Sequence, residues 1–443
     1  MRRVLVAELR RSAAPGAGVL VLAAGFLLGY GDGGAGSGGW MSLAVVQSFG
    51  LVLMWPVALA AGAWQARREH RTGVLELVAT TARPGLPRVL PVCLAMGTTV
   101  VGAYAVLAVL TALLDGTGGY LPPGALVILA LGAVWLAGGV WLGLALGRLL
   151  PSVVTPPALA VAGLGLLIGL QSLPVGARWV AMLASPAMPL AVQGVHDHDF
   201  LELSGRLDVA HGLLGVAVAV TAVVLLAAGS RRARAAALLP VLLGAGLAVG
   251  LAPRDGSPGV DGVVAGVGVD RVAQELVCTP DTPQVCVARV HADLLPTITA
   301  PARDVLRGLA RLTPAPTRAE EDVTPHWVHA PGPGGRPDTV TFTVFSGNRG
   351  LRPDAVASRM AAQLGTGAWA GCSAPFAALD AADAWLRGHE PPAADPERPD
   401  VARVHQLWQV LRGLPDRVAL QRVSAVRVAA LGCARDLDRV LAG

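Results

Sequence analysis

His196-Asp197-His198-Asp199 sets two imidazoles and two carboxylates within four residues, a donor set that suits a divalent metal. A solvated polar loop accounts for it as well and is the preferred reading, so no metal is expected. His326-Trp327-Val328-His329 is a lone H-x-x-H near Pro325 and Pro331, and reads as a surface loop. His389-Glu390 runs into Pro391-Pro392 with no His at the fifth position, so the zinc-protease pattern is not met. No G-x-S-x-G is present. The chain has no Lys, so all 35 Lys+Arg positions are Arg. A phosphate-binding loop ending in G-K-[ST] and a Schiff-base mechanism are therefore excluded. With aromatic residues at 4%, a sugar-stacking groove is not expected. No catalytic residue and no cofactor is expected.

One charged segment stands apart. Between Gln65 and Arg88 the chain carries Arg67, Arg68, Glu69, Arg71, Glu76, Arg83 and Arg88 around a compact apolar stripe of Val74, Leu75, Leu77 and Val78. Pro84 and Pro87 would end any helix here. By spacing alone, two readings stand level: a short amphipathic helix docking into a soluble partner, or a solvated loop.

The elements that hold this segment are apolar. Of 443 residues, 53% are hydrophobic and 15% charged, against about 25% charged in soluble domains. Seven stretches of membrane-spanning quality are expected at about 14–30, 41–64, 89–114, 125–146, 153–173, 212–229 and 235–252, each near the ~20 residues that cross a ~30 Å core. None holds Asp, Glu, Arg or His in its interior, with His211 at the edge of the sixth, which argues against a proton- or sodium-coupled carrier. Pro56 and Pro156-Pro157 should kink or break the second and fifth spans. Gly139, Gly143 and Gly147 recur every four residues and form a candidate helix-packing face. Gly165 and Gly169, and Gly246 and Gly250, repeat the spacing without an assigned role.

Residues 1–252 carry nine acids and fifteen Arg, and 253–443 carry twenty-one acids and twenty Arg, which together give the net +5. The excess belongs to the apolar half, so it reads as orientation in a membrane and not as a nucleic-acid footprint. Thirteen Arg fall on one side of a seven-span arrangement and only Arg178 and Arg206 on the other. The N-terminus is thus expected in the cytoplasm and residues 253–443 outside. Residues 1–12, with Val4, Leu5 and Leu9 among Arg, suit a helix lying in the cytoplasmic interface. Cys278, Cys286, Cys372 and Cys433 all lie in the outer part, an even number in an oxidising compartment. The favoured pairing is Cys278–Cys286 across a Pro-rich turn, with Cys372–Cys433 second. Cys93 reads as a small buried apolar residue.

Glu69-x-x-x-Gly73-x-x-Glu76-x-Val78-x-x-Thr81 resembles the E-x-x-x-G-T-x-E-x-L-x-x-T-P stretch of ABC-2 type permeases, membrane subunits of bacterial ABC exporters. Ala82 stands where that family usually has Pro, and Val74 where it has Thr. The resemblance covers about residues 1–230. It implies a six-span body (13–230) and a cytoplasmic helix that couples to a separate ATPase through Arg68, Glu69, Arg71, Gly73, Leu75 and Glu76. It further implies a dimer, with a second copy or with a similar permease, in the bacterial cell membrane. Short external helices are implied between the fifth and sixth spans. To that body the chain adds a seventh span (231–252) and an extracytoplasmic domain.

That domain, 253–443, is expected to be mainly helical with a small β element. Val277–Val290 reads as two short strands, Asp338–Phe345 as another, and Pro301–Leu312, Pro353–Leu364, Pro375–Leu386, Val401–Leu414 and Arg417–Leu441 as helices. Residues 253–270, 313–338 and 389–400 read as linkers. The fold class is therefore a polytopic α-helical membrane protein with a soluble α+β C-terminal domain. Two functions follow as expectations: a permease subunit that is not itself an enzyme, or an anchor for an external binding or sensing domain.

Overall fold

The computed structural model describes residues 12–30, 39–72, 85–114, 117–174, 177–187, 198–252, 266–324, 336–344, 376–391 and 399–443. By contacts the chain divides into two compact units, Met1–Thr117 with Leu121–Val269, and Gly118–Tyr120 with Asp270–Gly443.

The first unit is helical because its segments are apolar enough that only intrachain hydrogen bonds can satisfy their backbones in lipid. Each of the seven expected apolar stretches is helical: α1 Ala14–Tyr30, α2 Trp40–Arg71, α3 Gly85–Leu114, α4 Pro123–Leu149, α5 Thr155–Gln171, α7 Gly205–Ala227 and α9 Leu239–Leu251. Two short helices accompany them, α6 Arg178–Ala184 and α8 Arg231–Ala236. Five helical segments have the length and composition to cross a membrane, among them 231–251, which runs through α8 and α9. At 17 residues each, α1 and α5 are shorter. The unit is a helical membrane body among its described residues.

Polar side chains tie the apolar helices together. Gln47 on α2 donates to the Tyr104 carbonyl on α3 at 2.9 Å, Trp55 on α2 to the Trp135 carbonyl on α4 at 3.1 Å, and Trp141 on α4 to the Cys93 carbonyl on α3 at 2.8 Å. Such bonds join helices where burial of apolar surface gives no preference over lipid tails. Thr221 on α7 accepts from the Val241 amide in the first turn of α9 at 3.0 Å. Leu242, Leu243 and Leu247 on α9 remain exposed, as lipid-facing residues do.

Several expectations are corrected here. Of the kink or break expected at Pro56, the break is absent, since α2 is helical on both sides of it. Pro156 and Pro157 open α5, where an amide-free residue leaves no helical bond unmade. The sixth span begins at Gly205, so Arg206, Asp208 and His211 lie inside α7, capped by the Ser204 hydroxyl on the Leu207 amide. Asp199, expected in a solvated polar loop, is instead buried, and its Oδ1 accepts the Gly39 amide at the start of α2, 2.9 Å away. His196 and Asp197 lie outside the described residues. So do residues 1–11 of the segment 1–12 expected to lie in the interface, His326, His329 and the helix expected at 353–364. The 253–270 linker ends in a strand, β2 (Val267–Val269), antiparallel to β1 (Leu201–Leu203).

The second unit has a four-stranded sheet in the order β3-β4-β5-β6, formed by Leu276–Cys278, Gln284–Ala288, Arg318–Glu321 and Thr339–Phe342. The first pair is antiparallel, with Cys278 opposite Cys286 and disulfide-bonded to it, as favoured. The pairs β4–β5 and β5–β6 are parallel. Helix α10 (Leu295–Leu309) crosses from β4 to β5 and turns Ile298, Ala302, Leu306 and Leu309 to the core, positions of one helical stripe. Helices α11 (Phe376–Arg387), α12 (Pro399–Arg412), α13 (Asp416–Leu431) and α14 (Leu437–Ala442) complete that core. Cys433 is disulfide-bonded, and the expected partner Cys372 lies outside the described residues.

The 313–338 stretch is not simply a linker, since β5 occupies the middle of the sheet. Its sequence, Arg-Ala-Glu-Glu, reads as solvated, yet Ala319, Glu320 and Glu321 are buried. Each carboxylate has a partner beside it. Glu320 pairs with Arg318 and Arg336. Glu321 meets His291 Nδ1 at 2.6 Å and accepts the Ala288 amide at 2.7 Å. Arg427 on α13, 1% exposed, donates to the carbonyls of Pro314 and Thr339 and so fixes the lead-in to β5 and the start of β6. Burial pushes its guanidinium below the ordinary Arg value, opposed by Asp338.

Candidate functional site

The first part of the charged segment singled out above, Gln65–Arg71, is the end of α2, while its apolar stripe Val74, Leu75, Leu77 and Val78 lies outside the described residues. With 32 residues, α2 is ~48 Å long at ~1.5 Å per residue, against a ~30 Å hydrocarbon core. The surplus is about twelve residues, the length by which this continuous helical rod exceeds one crossing. Its last turn bears Arg68, His70 and Arg71, all exposed. Arg67 lies over the Trp64 ring, 5.6 Å from its centroid. Of the six residues expected to couple to a partner, Arg68, Glu69 and Arg71 are on this rod, while Gly73, Leu75 and Glu76 lie outside the described residues.

Glu69 faces inward. Its Oε2 accepts from Arg148 Nη2 at 2.7 Å, with both side chains less than a fifth exposed. Its Oε1 accepts from Gln65 one turn earlier on α2, at 3.1 Å. Gln65 Oε1 in turn accepts the Ala13 amide at the start of α1, 2.8 Å away. One polar chain therefore joins three helix ends: the first turn of α1, the last turns of α2 and the last turn of α4.

The glycines explain how α2 and α4 come so close. A Cβ built on Gly143 would lie 2.0 Å from the Leu59 carbonyl oxygen, and one on Gly62 would lie 2.1 Å from that of Val140. Gly147 backs onto Ala63 at 2.7 Å and Gly139 onto the Trp55 indole at 2.7 Å. All four are contacts of α2 with α4, and the ion pair caps this seam. The remaining glycine repeats differ: nothing lies within 4 Å of a Cβ on Gly165, Gly169, Gly246 or Gly250.

Sequence reasoning missed Gln65 and treated Arg148 only as an orienting charge. A usable signal was present in part, because Gln65 and Glu69 are spaced i, i+4 on one helix face. That Arg148 completes the chain is a tertiary fact. Among the described residues no three His, Cys, Asp or Glu gather. What the arrangement can do is mechanical, joining the end of α2 to two neighbours. Protein-family models, curated proteins and solved structures were all compared with this chain, and none matches it.

Proposed function

We propose that this protein is the permease subunit of an ABC-type exporter in the bacterial cell membrane. It would be worked by a separate cytoplasmic ATPase that grips the loop following α2. The observation that carries the reading is the α2 rod, unbroken from Trp40 to Arg71 and bound through Glu69 to Arg148. A push on the loop at its tip would move α2 and α4 together, which is what converting ATPase closure into a change of access requires. The ABC-2-like pattern from Glu69 to Thr81 supports the same reading, as does the crowding of Arg at this end. In this reading two such subunits, identical or related, line the path between them, the N-terminus is cytoplasmic and residues 253–443 are outside.

The test is purification from the native membrane in mild detergent, with mass spectrometry of co-purifying chains. A stoichiometric ATPase is expected, and Gly73→Pro or Glu76→Arg should release it. A preparation free of ATPase, also after cross-linking, would overturn the proposal. It would favour the second reading, an anchor for an external binding domain, which the separate core and disulfide of the second unit support.

A further inference from the structure

At the end of the first unit away from the α2 tip lies a small cavity of about 30 Å³, room for about two waters or one ion. Ser48 of α2, Leu131 and Gly132 of α4, Ser185 just past α6, and Asp208 and His211 of α7 line it. Four features mark it as a place for a ligand. Ser185 is 1% exposed and its hydroxyl has no hydrogen-bond partner among the described residues. Two further buried polar atoms, Tyr104 Oη and Trp135 Nε1, are likewise unpartnered. Tyr104 Oη lies 2.4 Å from where a side chain on Gly132 would begin, and the Trp135 ring centroid is 5.3 Å from that of His211. Finally, the half-buried Asp208 has no charged side chain acting on it among the described residues.

The polarity of the site follows from its bonds. His211 Nδ1 sits 3.1 Å from the Leu183 carbonyl oxygen. A carbonyl only accepts, so Nδ1 carries a proton and is committed to that bond. The Asp208 carboxylate and the Ser185 hydroxyl both offer electron density to one small space in an apolar body. A lone carboxylate there is costly unless a positive charge joins it. We propose that this cavity binds one small monovalent cation, with Asp208 supplying the counter-charge and Ser185 a neutral oxygen ligand.

The test uses the full chain in lipid nanodiscs at pH 8 and fixed ionic strength. Sodium, potassium or ammonium chloride replaces choline chloride while the thermal unfolding midpoint is followed. At least one small cation should raise the midpoint saturably where choline does not. Asp208→Asn should abolish the rise, and Glu202→Gln, an exposed acid nearby on β1, should leave it intact. Ser185→Ala should raise the half-saturating concentration about fivefold, the worth of one neutral ligand bond. If Asp208→Asn does not fold, the Ser185→Ala shift alone decides. An equal rise with choline, an unchanged response in either cavity variant, or a rise produced only by acidification would each overturn the proposal. The last outcome would mean a proton is the sole occupant.

Discussion

Replacing Gly143 by Ala puts one methyl group where the structure leaves no room for it. The new Cβ would lie 2.0 Å from the Leu59 carbonyl oxygen, 2.8 Å from its carbonyl carbon and 3.0 Å from its Cα. Every near atom is backbone, so no side-chain rotation relieves the overlap. Ordinary contact begins near 3.4 Å, so α4 must retreat from α2 by more than an ångström. That retreat also opens the Gly62 and Gly147 contacts and lengthens the reach of Arg148 to Glu69. Overpacking a filled interior costs about 1–3 kcal/mol, and loss of close helix contact falls at the upper end of that range. The control is Gly165→Ala on α5, where nothing lies within 4 Å and Ala is favoured by about 1 kcal/mol in a helix. The two changes are chemically identical and should move stability in opposite directions. The assay is thermal unfolding of each variant in one detergent. Gly143→Ala should lower the midpoint, and Gly165→Ala should not. Equal midpoints for the two variants would refute the close α2–α4 seam.

Three further outcomes are expected. Glu69→Gln or Arg148→Gln alone should cost about 2 kcal/mol by leaving its partner uncompensated, and the exchange Glu69→Arg with Arg148→Glu should recover more than half of that in thermal unfolding. In the second unit, Glu321→Ala strips both His291 and the Ala288 amide of their partner. A loss of about 3 kcal/mol should appear as faster hydrogen exchange across residues 276–342, whereas unchanged exchange would show that the buried pair does not hold the sheet. Replacing both Cys278 and Cys286 by Ser frees a short loop spanned by eight residues and should lower the stability of that unit by about 2.5 kcal/mol on the chain-entropy account, read from its denaturant midpoint.

The apolar helices were legible because lipid leaves a long apolar run one way to satisfy its backbone. Their ends were not. Charges at the foot of the second span look like a terminus, yet Gln65–Arg71 continue the helix, since leaving the bilayer removes the need for apolar residues and nothing from Ala66 to Arg71 breaks a helix. The glycine repeats had one spacing and two fates, because spacing says which residues share a face and not what that face meets. Strand β5 was hidden for a related reason. Arg-Ala-Glu-Glu is a solvent-facing pattern until Arg336, His291 and a backbone amide converge on it, and those partners lie 15 or more residues away in the chain. Local patterns thus recovered the elements, and long-range charge pairing decided the places where they failed.

Glu69 shows what this means for coupling. Read from its motif, it is a contact for a partner. In the fold its two oxygens are taken by Gln65 and Arg148, so a partner reaching Glu69 would first have to displace an internal bond. The exposed charges on the same turn, Arg68, His70 and Arg71, have no such commitment among the salt bridges of the described residues. A division of labour follows from the helical period. Under the proposed function, residues facing away from α4 would meet an acidic partner surface, while Glu69, a quarter-turn or more around, would transmit whatever that surface does. Reversing the exposed charges with Arg68→Glu and Arg71→Glu should therefore weaken ATPase capture without lowering the unfolding midpoint. Glu69→Gln should do the opposite, lowering the midpoint while capture persists. If both variants lost the ATPase and kept the midpoint, Glu69 would be a contact residue after all, and the internal tie to Arg148 would have no part in transmission.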